Sequence, residues 1–234
     1  MAERALALLD IDNSLREGYI LFPLISEMEK SGLIKNGTDK VVKSTAASYK
    51  SGSLTYEQFA ARVLNDWAQG LRGTSFEEAY SISTEHIART QDQYFPYARP
   101  LLNVLKPTHD IYLVTGEPDF VAKAVQEDLN VTGQLASKFQ VQGGRFTGIV
   151  ENPLASRGDK LAVLSPILNQ YSFKHSFALG DSPGDIEMLG ATEYPHVVNA
   201  KEELIIIAAK HNWHVVNDLN TLPTRVSAIF AELI

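Results

Sequence analysis

Three short apolar stretches of this chain each end on polar residues, and this feature limits most strongly what the chain can fold into. The stretches are Ala5–Leu9, Ile111–Gly116 and Ser176–Leu179. The polar residues at their ends are Asp10, Thr115 and Asp181, respectively. Short apolar runs that alternate with helical patterns are typical of the buried strands of a parallel sheet. The pattern therefore predicts an α/β fold, in which the carboxyl ends of the strands meet at one edge of the sheet and form a binding crevice.

A long helical region separates the first of these strands from the second. From residue 16 to residue 94 the apolar spacing is helical, and Thr55 and Ser75 stand where helix N-caps are expected. We therefore predict a Rossmann-like, mostly parallel sheet core formed by residues 1–15 and 95–234. An all-helical cap domain, residues 16–94, is inserted after the first strand. Gly143-Gly144 lies between two alternating runs and predicts a small β-hairpin in the core.

The charge balance and composition exclude several classes of function. The formal net charge is −7 and no block of Lys or Arg is present, which argues against a nucleic-acid-binding surface and against an anionic membrane as partner. The chain has no cysteine, so a disulfide framework, thiolate chemistry and cysteine-ligated zinc are excluded. The apolar runs are too short for a signal peptide or a membrane span. We expect a cytoplasmic protein that acts on a small phosphorylated metabolite, with its oligomeric state left open.

Four carboxylates at the predicted strand ends are candidate ligands of a hard cation. They are Asp10, Asp12, Asp181 and Asp185. Burial of several acids is costly unless a cation or another group compensates their charge, and Mg²⁺ prefers carboxylates, waters and substrate phosphate. Lys160 and the Thr115 hydroxyl are candidates to hold phosphate oxygens. A carboxylate beside a metal can also attack phosphorus as a nucleophile.

Four motifs in this order resemble those of the haloacid dehalogenase superfamily. The motifs are DIDNSL from Asp10, VTGEP around Thr115, Lys160, and GDSPGDIEML with Asp181 and Asp185. Lys160 precedes Asp181 by 21 positions. The helical insert directly after the first motif resembles the type 1 cap of the phosphoserine phosphatase-like branch. The resemblance covers the whole chain and implies a Rossmann-like core with a cap over the site.

The resemblance also implies a role for each motif residue. Asp10 would attack phosphorus and form an aspartyl-phosphate. Asp12, two positions later, would protonate the leaving alcohol and then take a proton from the hydrolytic water. Thr115 and Lys160 would hold the phosphoryl oxygens. An acid in the position of Asp12 is present in the phosphatases of this superfamily and absent from its dehalogenases.

A magnesium site is implied by the same resemblance. Asp10 and Asp181 would ligate Mg²⁺ through their carboxylates, and Asp12 through its backbone carbonyl. Asp185 would support the site from behind these ligands. Any one of the strand-end acids, Asp185 above all, is also explained as a helix N-cap, because Asp favours that position.

Recognition of the substrate is predicted to involve the first two motifs and the cap. The predicted substrate-binding residues are Ser14, Glu17, Tyr19, Arg62 and Gly116. Phosphoserine phosphatases typically carry a Glu nine residues after the nucleophile, and here that position is Tyr19. Glu17 is the nearest acid, and Arg62 is a counterpart of the cap Arg that holds the substrate carboxylate. We hypothesise that these three cap residues, together with Phe22, set specificity.

These observations lead to one preferred function and two alternatives. The preferred function is a Mg²⁺-dependent phosphomonoester hydrolase that acts on a small organic phosphate and resembles phosphoserine phosphatase. One alternative is a phosphotransferase of the same fold, which would pass the phosphoryl group to an alcohol. The other is a signalling module that is phosphorylated or binds a phosphometabolite. Receiver domains use similar residues, but they are shorter and have no helical insert.

Overall fold

A seven-stranded sheet forms the centre of the protein, whose computed structural model describes residues 4–155 and 157–233. The strands are β1 (Ala5–Leu9), β2 (His109–Pro118), β3 (Gly133–Gln142), β4 (Arg145–Asn152), β5 (Phe177–Gly180), β6 (Tyr194–Val197) and β7 (His214–Val215). Their spatial order is β4-β3-β2-β1-β5-β6-β7, and all neighbours pair in parallel except β3 and β4. The predicted α/β class with a mostly parallel, Rossmann-like sheet is confirmed. Residues 1–3 and 234, at the ends of the predicted core, lie outside the described residues.

The central strand β1 determines where the site lies. All five of its residues are buried, as expected for a parallel strand covered on both faces. Leu9 pairs with Leu113 of β2 on one side and with Leu179 of β5 on the other. The residues that follow these three pairing partners therefore emerge at one edge of the sheet.

The hairpin is larger than the sequence predicts. Gly143 and Gly144 form its turn with positive φ angles of 57° and 76°, which only glycine adopts readily. β3, however, begins at Gly133 and pairs in parallel with β2 before it turns to pair with β4. The hairpin is thus the edge of the main sheet. The first half of β3 is half-buried and lacks strict alternation, which is why its extent was not predicted.

Four helices form the insert that follows β1. They are α1 (Leu21–Lys30), α2 (Thr38–Lys50), α3 (Tyr56–Leu71) and α4 (Phe76–Arg89). Thr55 caps α3 in a reciprocal capping box with Gln58, and the Ser75 hydroxyl caps α4. The chain leaves and re-enters the core through paired segments, since the Glu17 N–H donates to the Gln93 carbonyl and the Phe95 N–H to the Leu15 carbonyl.

The remaining helices cover the sheet. They are α5 (Ala98–Leu105), α6 (Asp119–Leu129), α7 (Arg157–Leu168), α8 (Ile186–Gly190), α9 (Glu202–His211) and α10 (Leu222–Ile229). Pro118 caps α6, so the residue fixes the entry of the helix as the sequence indicates. None of the helices in the described part of the chain combines the length and the apolar character that a membrane span needs.

The helical insert packs directly on the sheet through aromatic residues. Trp67 of α3 is fully buried, and its ring centroid lies 5.6 Å from that of Phe120 and 6.2 Å from that of Phe139. Phe146 of β4 contacts both of these phenylalanines edge-on. Insert and sheet therefore share one hydrophobic core on this side of the molecule.

Candidate active site

The ends of β1, β2 and β5 bring the predicted catalytic residues to one edge of the sheet. The Asp10 N–H donates to the Leu179 carbonyl at 3.0 Å, which extends the ladder of β1 by one residue and fixes the direction of the Asp10 side chain. Asp10 and Thr115 are buried, and both line the same cleft between the sheet and the insert. Residues more than 100 positions apart in the sequence thus meet, as the strand-end pattern predicts.

A cluster of three carboxylates forms the floor of this cleft. One oxygen each of Asp10, Asp181 and Asp185 lies within 4.8 Å of the others. Lys160 reaches the cluster from α7, with its Nζ 2.6 Å from Asp185 Oδ1 and 4.0 Å from Asp10 Oδ1. The side chains of Lys160 and Asp185 are buried, so this ion pair is largely shielded from water.

Asp185 combines this ion pair with a local structural role. Its Oδ2 accepts hydrogen bonds from the Ser182 N–H at 3.0 Å and the Ser182 hydroxyl at 2.9 Å. The two residues form a capping box at the short 3-10 helix Pro183–Asp185, in which Ser182 is the N-cap and Asp185 the third helical residue. Asp185 also stands at the N-cap position of the next helix, α8, but its side chain makes no capping hydrogen bond there. The same carboxylate holds Lys160 beside Asp10.

The electrostatics of the cluster indicate an excess of negative charge. Burial raises the pKa of Asp10 well above its usual range, and the charge of Asp185 raises it further. Burial, followed by Asp185, raises the pKa of Asp181 to about 8. Burial lowers the pKa of Lys160, but the charges of Asp185 and Asp10 outweigh this effect and keep the amine protonated. One lysine does not compensate three acids, of which Asp10 and Asp185 are buried and Asp181 is half-buried, and a bound cation would supply the missing positive charge.

Asp12 lies away from the three-carboxylate cluster and faces the start of the insert. Its Oδ1 accepts a hydrogen bond from the Ile20 N–H at 3.2 Å. Burial raises the pKa of Asp12 well above the usual value, and the nearby Glu117 carboxylate raises it further. A raised pKa favours the protonated form of a carboxyl group, which is the form that a general acid needs.

The cleft has an inner and an outer part, which meet at two tyrosines. The inner part has the acids and Lys160 on one side and an apolar wall of the insert on the other. The residues of this wall are Leu21, Phe59, Ala60, Val63 and Leu64. Tyr19 and Tyr56 line both parts, and Glu17 lines the outer part. Gly116 lines the inner part beside Thr115.

The structure places two of the predicted substrate-binding residues outside the cleft lining. Arg62 is exposed and does not line the cleft, whereas Phe59 and Val63 of the same helix do. Ser14 is fully buried beneath the cleft, and its hydroxyl has no partner among the residues that the structure describes. Phe22 does not line the cleft either, but its ring contacts that of Tyr19 edge-on at 5.9 Å.

Two residues of the cleft were missed by the sequence analysis. Glu117 is buried in the inner part, and Tyr56 lines both parts. Glu117 comes two residues after Thr115, at the end of an apolar run, and the same signal that identified Asp10 could have identified it. Tyr56 follows the N-cap Thr55, at a position where nothing in the sequence distinguishes a residue of the cleft from an exposed first-turn residue.

Comparison with known proteins identifies the family. The family model described as haloacid dehalogenase-like hydrolase matches residues 7–190, a stretch that carries all four motifs. The chain belongs to this family. Haloacid dehalogenase-like hydrolases are thus the group that the strand-end motifs predict, and the resemblance noted in the sequence is confirmed.

Curated and solved relatives support the same assignment. The chain is 26% identical over 200 residues to a phosphoserine phosphatase of Streptomyces coelicolor, a match that covers 84% of this chain and 44% of that protein. The chain therefore spans less than half the length of this relative. A protein of unknown function from Bordetella pertussis Tohama I has the same fold, with a TM-score of 0.76, 23% identity and coverage of 93% of this chain and 100% of that one. A phospho-aspartyl intermediate analogue of phosphoserine phosphatase matches with a TM-score of 0.61, 20% identity and coverage of 91% and 92%.

Proposed function

We propose that this chain is a Mg²⁺-dependent phosphomonoester hydrolase that acts on a small organic phosphate through an aspartyl-phosphate on Asp10. The observation that carries the proposal is the meeting of Asp10, Asp181 and Lys160 at one cleft, with Thr115 on its wall. Phosphoryl transfer depends mainly on positioning and on neutralising the charge of the phosphoryl oxygens. This set of side chains supplies a nucleophile, a cation and a hydroxyl donor for that purpose.

Each of the site residues has its own role in the two steps of the hydrolysis. A carboxylate oxygen of Asp10 attacks phosphorus, the ester P–O bond breaks, and Asp12 donates its proton to the leaving alcohol. In the second half, Asp12 takes a proton from a water that attacks phosphorus, and the bond to Asp10 breaks to release phosphate. Lys160 and Thr115 hold the phosphoryl oxygens through both steps. The solved phospho-aspartyl intermediate analogue of phosphoserine phosphatase, which shares the fold, supports this scheme.

The acidic cluster fits a magnesium ion. Its donors are carboxylate oxygens, the ligands that Mg²⁺ prefers, and its buried acids lack a compensating charge. Asp10 and Asp181 would ligate the ion with the Asp12 carbonyl, while Asp185 would hold Lys160 and the Ser182 turn in place. Bound Mg²⁺ would neutralise charge on the phosphoryl oxygens.

The helical insert, residues 16–94, serves as a cap domain over the core formed by residues 1–15 and 95–234. It closes one side of the cleft with the apolar wall from α3 and with Tyr19 and Tyr56. A cover of this kind excludes water and selects the leaving alcohol. Tyr19, Glu17 and Gly116 are the predicted substrate-binding residues that line this cleft.

The proposal is tested by measuring phosphate release from a panel of phosphomonoesters, phosphoserine included, with Mg²⁺ and with a chelator. Asp10→Asn is the test variant, and Asp92→Asn, at an exposed position of the insert, is the matched control. We expect Mg²⁺-dependent release that Asp10→Asn lowers by at least about 10⁴-fold and Asp92→Asn leaves unchanged. Release of the alcohol without phosphate in the presence of an acceptor alcohol would instead indicate a phosphotransferase. Absence of turnover on the whole panel by the folded wild-type protein would contradict the proposal.

A further inference from the structure

Glu117 is a buried acid of the cleft that the proposed mechanism does not use. It comes two residues after Thr115, near the end of β2. Glu117 is only 3% exposed, and it lines the inner part of the cleft with Asp12 and Thr115. A buried carboxylate is costly to keep, so its partners indicate what it does.

Both ends of Glu117 are held in place. Its backbone N–H donates to the Thr115 hydroxyl at 3.1 Å. Its Oε1 accepts a hydrogen bond from the Leu21 N–H at 3.0 Å, at the start of α1. The preceding N–H, of Ile20, is the one that donates to Asp12. Two acids from neighbouring strands thus hold two consecutive N–H groups of the insert.

The second carboxylate oxygen of Glu117, Oε2, differs from Oε1 in its surroundings. While both carboxyl groups are ionised, Oε2 is buried and has no donor among the residues described. The Glu117 carboxylate lies close enough to Asp12 to raise the pKa of Asp12, so a protonated Asp12 would supply the donor that Oε2 lacks. Asp12 is therefore oriented from two sides, by the Ile20 N–H and by Glu117.

We propose that Glu117 is a positioning residue for the general acid: it fixes the Asp12 carboxyl group against the start of α1 and aligns its proton with the leaving oxygen. This inference rests on the proposed hydrolase function. A general acid contributes about 10²–10⁴-fold to rate, and misplacement by about 1 Å removes about 10²-fold. A residue that only stabilised the fold would affect all substrates alike.

The leaving group of the substrate distinguishes a positioning role of Glu117 from a role in fold stability alone. An alkoxide must be protonated as it leaves, so alkyl phosphates depend on Asp12. p-Nitrophenolate leaves as a stable anion and needs little help from an acid. Loss of alignment at Asp12 therefore slows an alkyl phosphate much more than p-nitrophenyl phosphate.

The experiment measures kcat and KM for propyl phosphate and p-nitrophenyl phosphate, with Mg²⁺, on wild type, Glu117→Gln, Glu117→Ala and Asp12→Ala. Gln at position 117 can still accept the Leu21 N–H through its amide oxygen, so this variant is expected to keep the fold. Glu29→Ala is the matched control, because the Glu29 carboxylate also accepts two N–H groups of the insert, from Gly37 and Asp39.

For Glu117→Gln and Glu117→Ala we expect kcat/KM, which reports formation of the aspartyl-phosphate, to fall by about 10–100-fold on propyl phosphate and by less than about 3-fold on p-nitrophenyl phosphate. Asp12→Ala should show the same split in kcat/KM, and Glu29→Ala should change both substrates by one factor. An equal loss of kcat/KM on both substrates in the Glu117 variants, or no loss, would overturn the inference alone. Failure of the wild-type protein to release phosphate from any ester of the phosphomonoester panel, these two included, would overturn the proposed function and, with it, this inference.

Discussion

The junction between the helical insert and the sheet has two different sides, one formed by packed aromatic rings and one that lines a charged cleft. On one side Trp67 lies among the rings of Phe120 and Phe139. On the other side the same helix, α3, faces Asp10 and Lys160 across the cleft through Phe59 and Val63. One helix therefore packs tightly at its end and lines a charged cavity at its start.

This contrast separates stability from chemistry. Close-packed aromatic rings contribute favourably to folding through buried area and contact. Buried acids with raised pKa values, such as Asp10 and Asp181, destabilise the fold in their ionised form. A chain keeps such a cluster for what it binds or catalyses, so substitutions on the two sides should have different consequences.

The largest effect on folding is expected from Trp67→Ala. Removal of this fully buried ring should lower the free energy of unfolding by about 3–5 kcal/mol, because the surrounding rings cannot close the cavity. Urea denaturation followed by circular dichroism measures the change. Trp213→Ala, at a half-buried position beside His211, is the control and should cost clearly less. Similar losses for the two variants would break the comparison.

Lys160→Met should also destabilise the protein, by about 3 kcal/mol, although it preserves the length of the side chain. The substitution leaves Asp185 buried without its partner at 2.6 Å. Adding Asp185→Asn should restore part of the loss, and a double-mutant cycle in urea measures that coupling. If Lys160→Met unfolds at the wild-type urea concentration, the ion pair contributes nothing to the fold.

A smaller effect on the free energy of unfolding is expected from a change in pH. Burial raises the pKa of Glu117 to about 7 and that of Asp181 to about 8, so the folded protein holds these protons more tightly than the unfolded chain does. The stability that these raised pKa values contribute is complete below about pH 4 and is lost progressively as the pH rises to about 8, so the free energy of unfolding falls over this range. Denaturation at several pH values in chelator measures this slope, and Glu117→Gln should flatten it. Mg²⁺ should stabilise the protein more at pH 8 than at pH 5. A metal-free protein that becomes more stable between pH 5 and pH 8 would contradict the account.

The smallest effect is expected from Arg62→Ala. The side chain is exposed and lies outside the cleft, so the free energy of unfolding should change by less than about 0.5 kcal/mol. The relative kcat/KM values across a substrate panel should stay within about 2-fold. A selective loss of kcat/KM on one class of substrate would indicate that Arg62 contacts the substrate. It would also weaken the contrast between the apolar side and the acidic side of the junction.

The strand ends were predictable because their signal is local and repeated. Each apolar run that stops at a polar residue marks one strand end, and parallel pairing brings such ends together whatever the length of chain between them. Thr55 and Ser75 were equally local signals, since a hydroxyl before a helical pattern satisfies free N–H groups. Asp10, Thr115 and Asp181 therefore met as expected.

Side-chain direction and long-range partners were not predictable in this way. Arg62 is within three positions of four residues of the cleft wall, and only the packing of α3 decides which side of the helix faces the acids. Ser14 belongs to the first motif but points into the core. The role inferred for Glu117 depends on its neighbours Leu21 and Asp12, which are about 100 positions away in the sequence. The start of β3 depends on its pairing with β2 rather than on its own composition.

The central claim is that the acidic side of the junction serves chemistry at the expense of stability. The most direct test measures phosphate release and unfolding free energy on the same preparation of Asp10→Asn, the latter in chelator. The account predicts that Mg²⁺-dependent release is lost while the metal-free protein is as stable as wild type or more so, because a neutral amide replaces a buried charge. Retained Mg²⁺-dependent release, or a loss of stability comparable with that of Trp67→Ala, would contradict it.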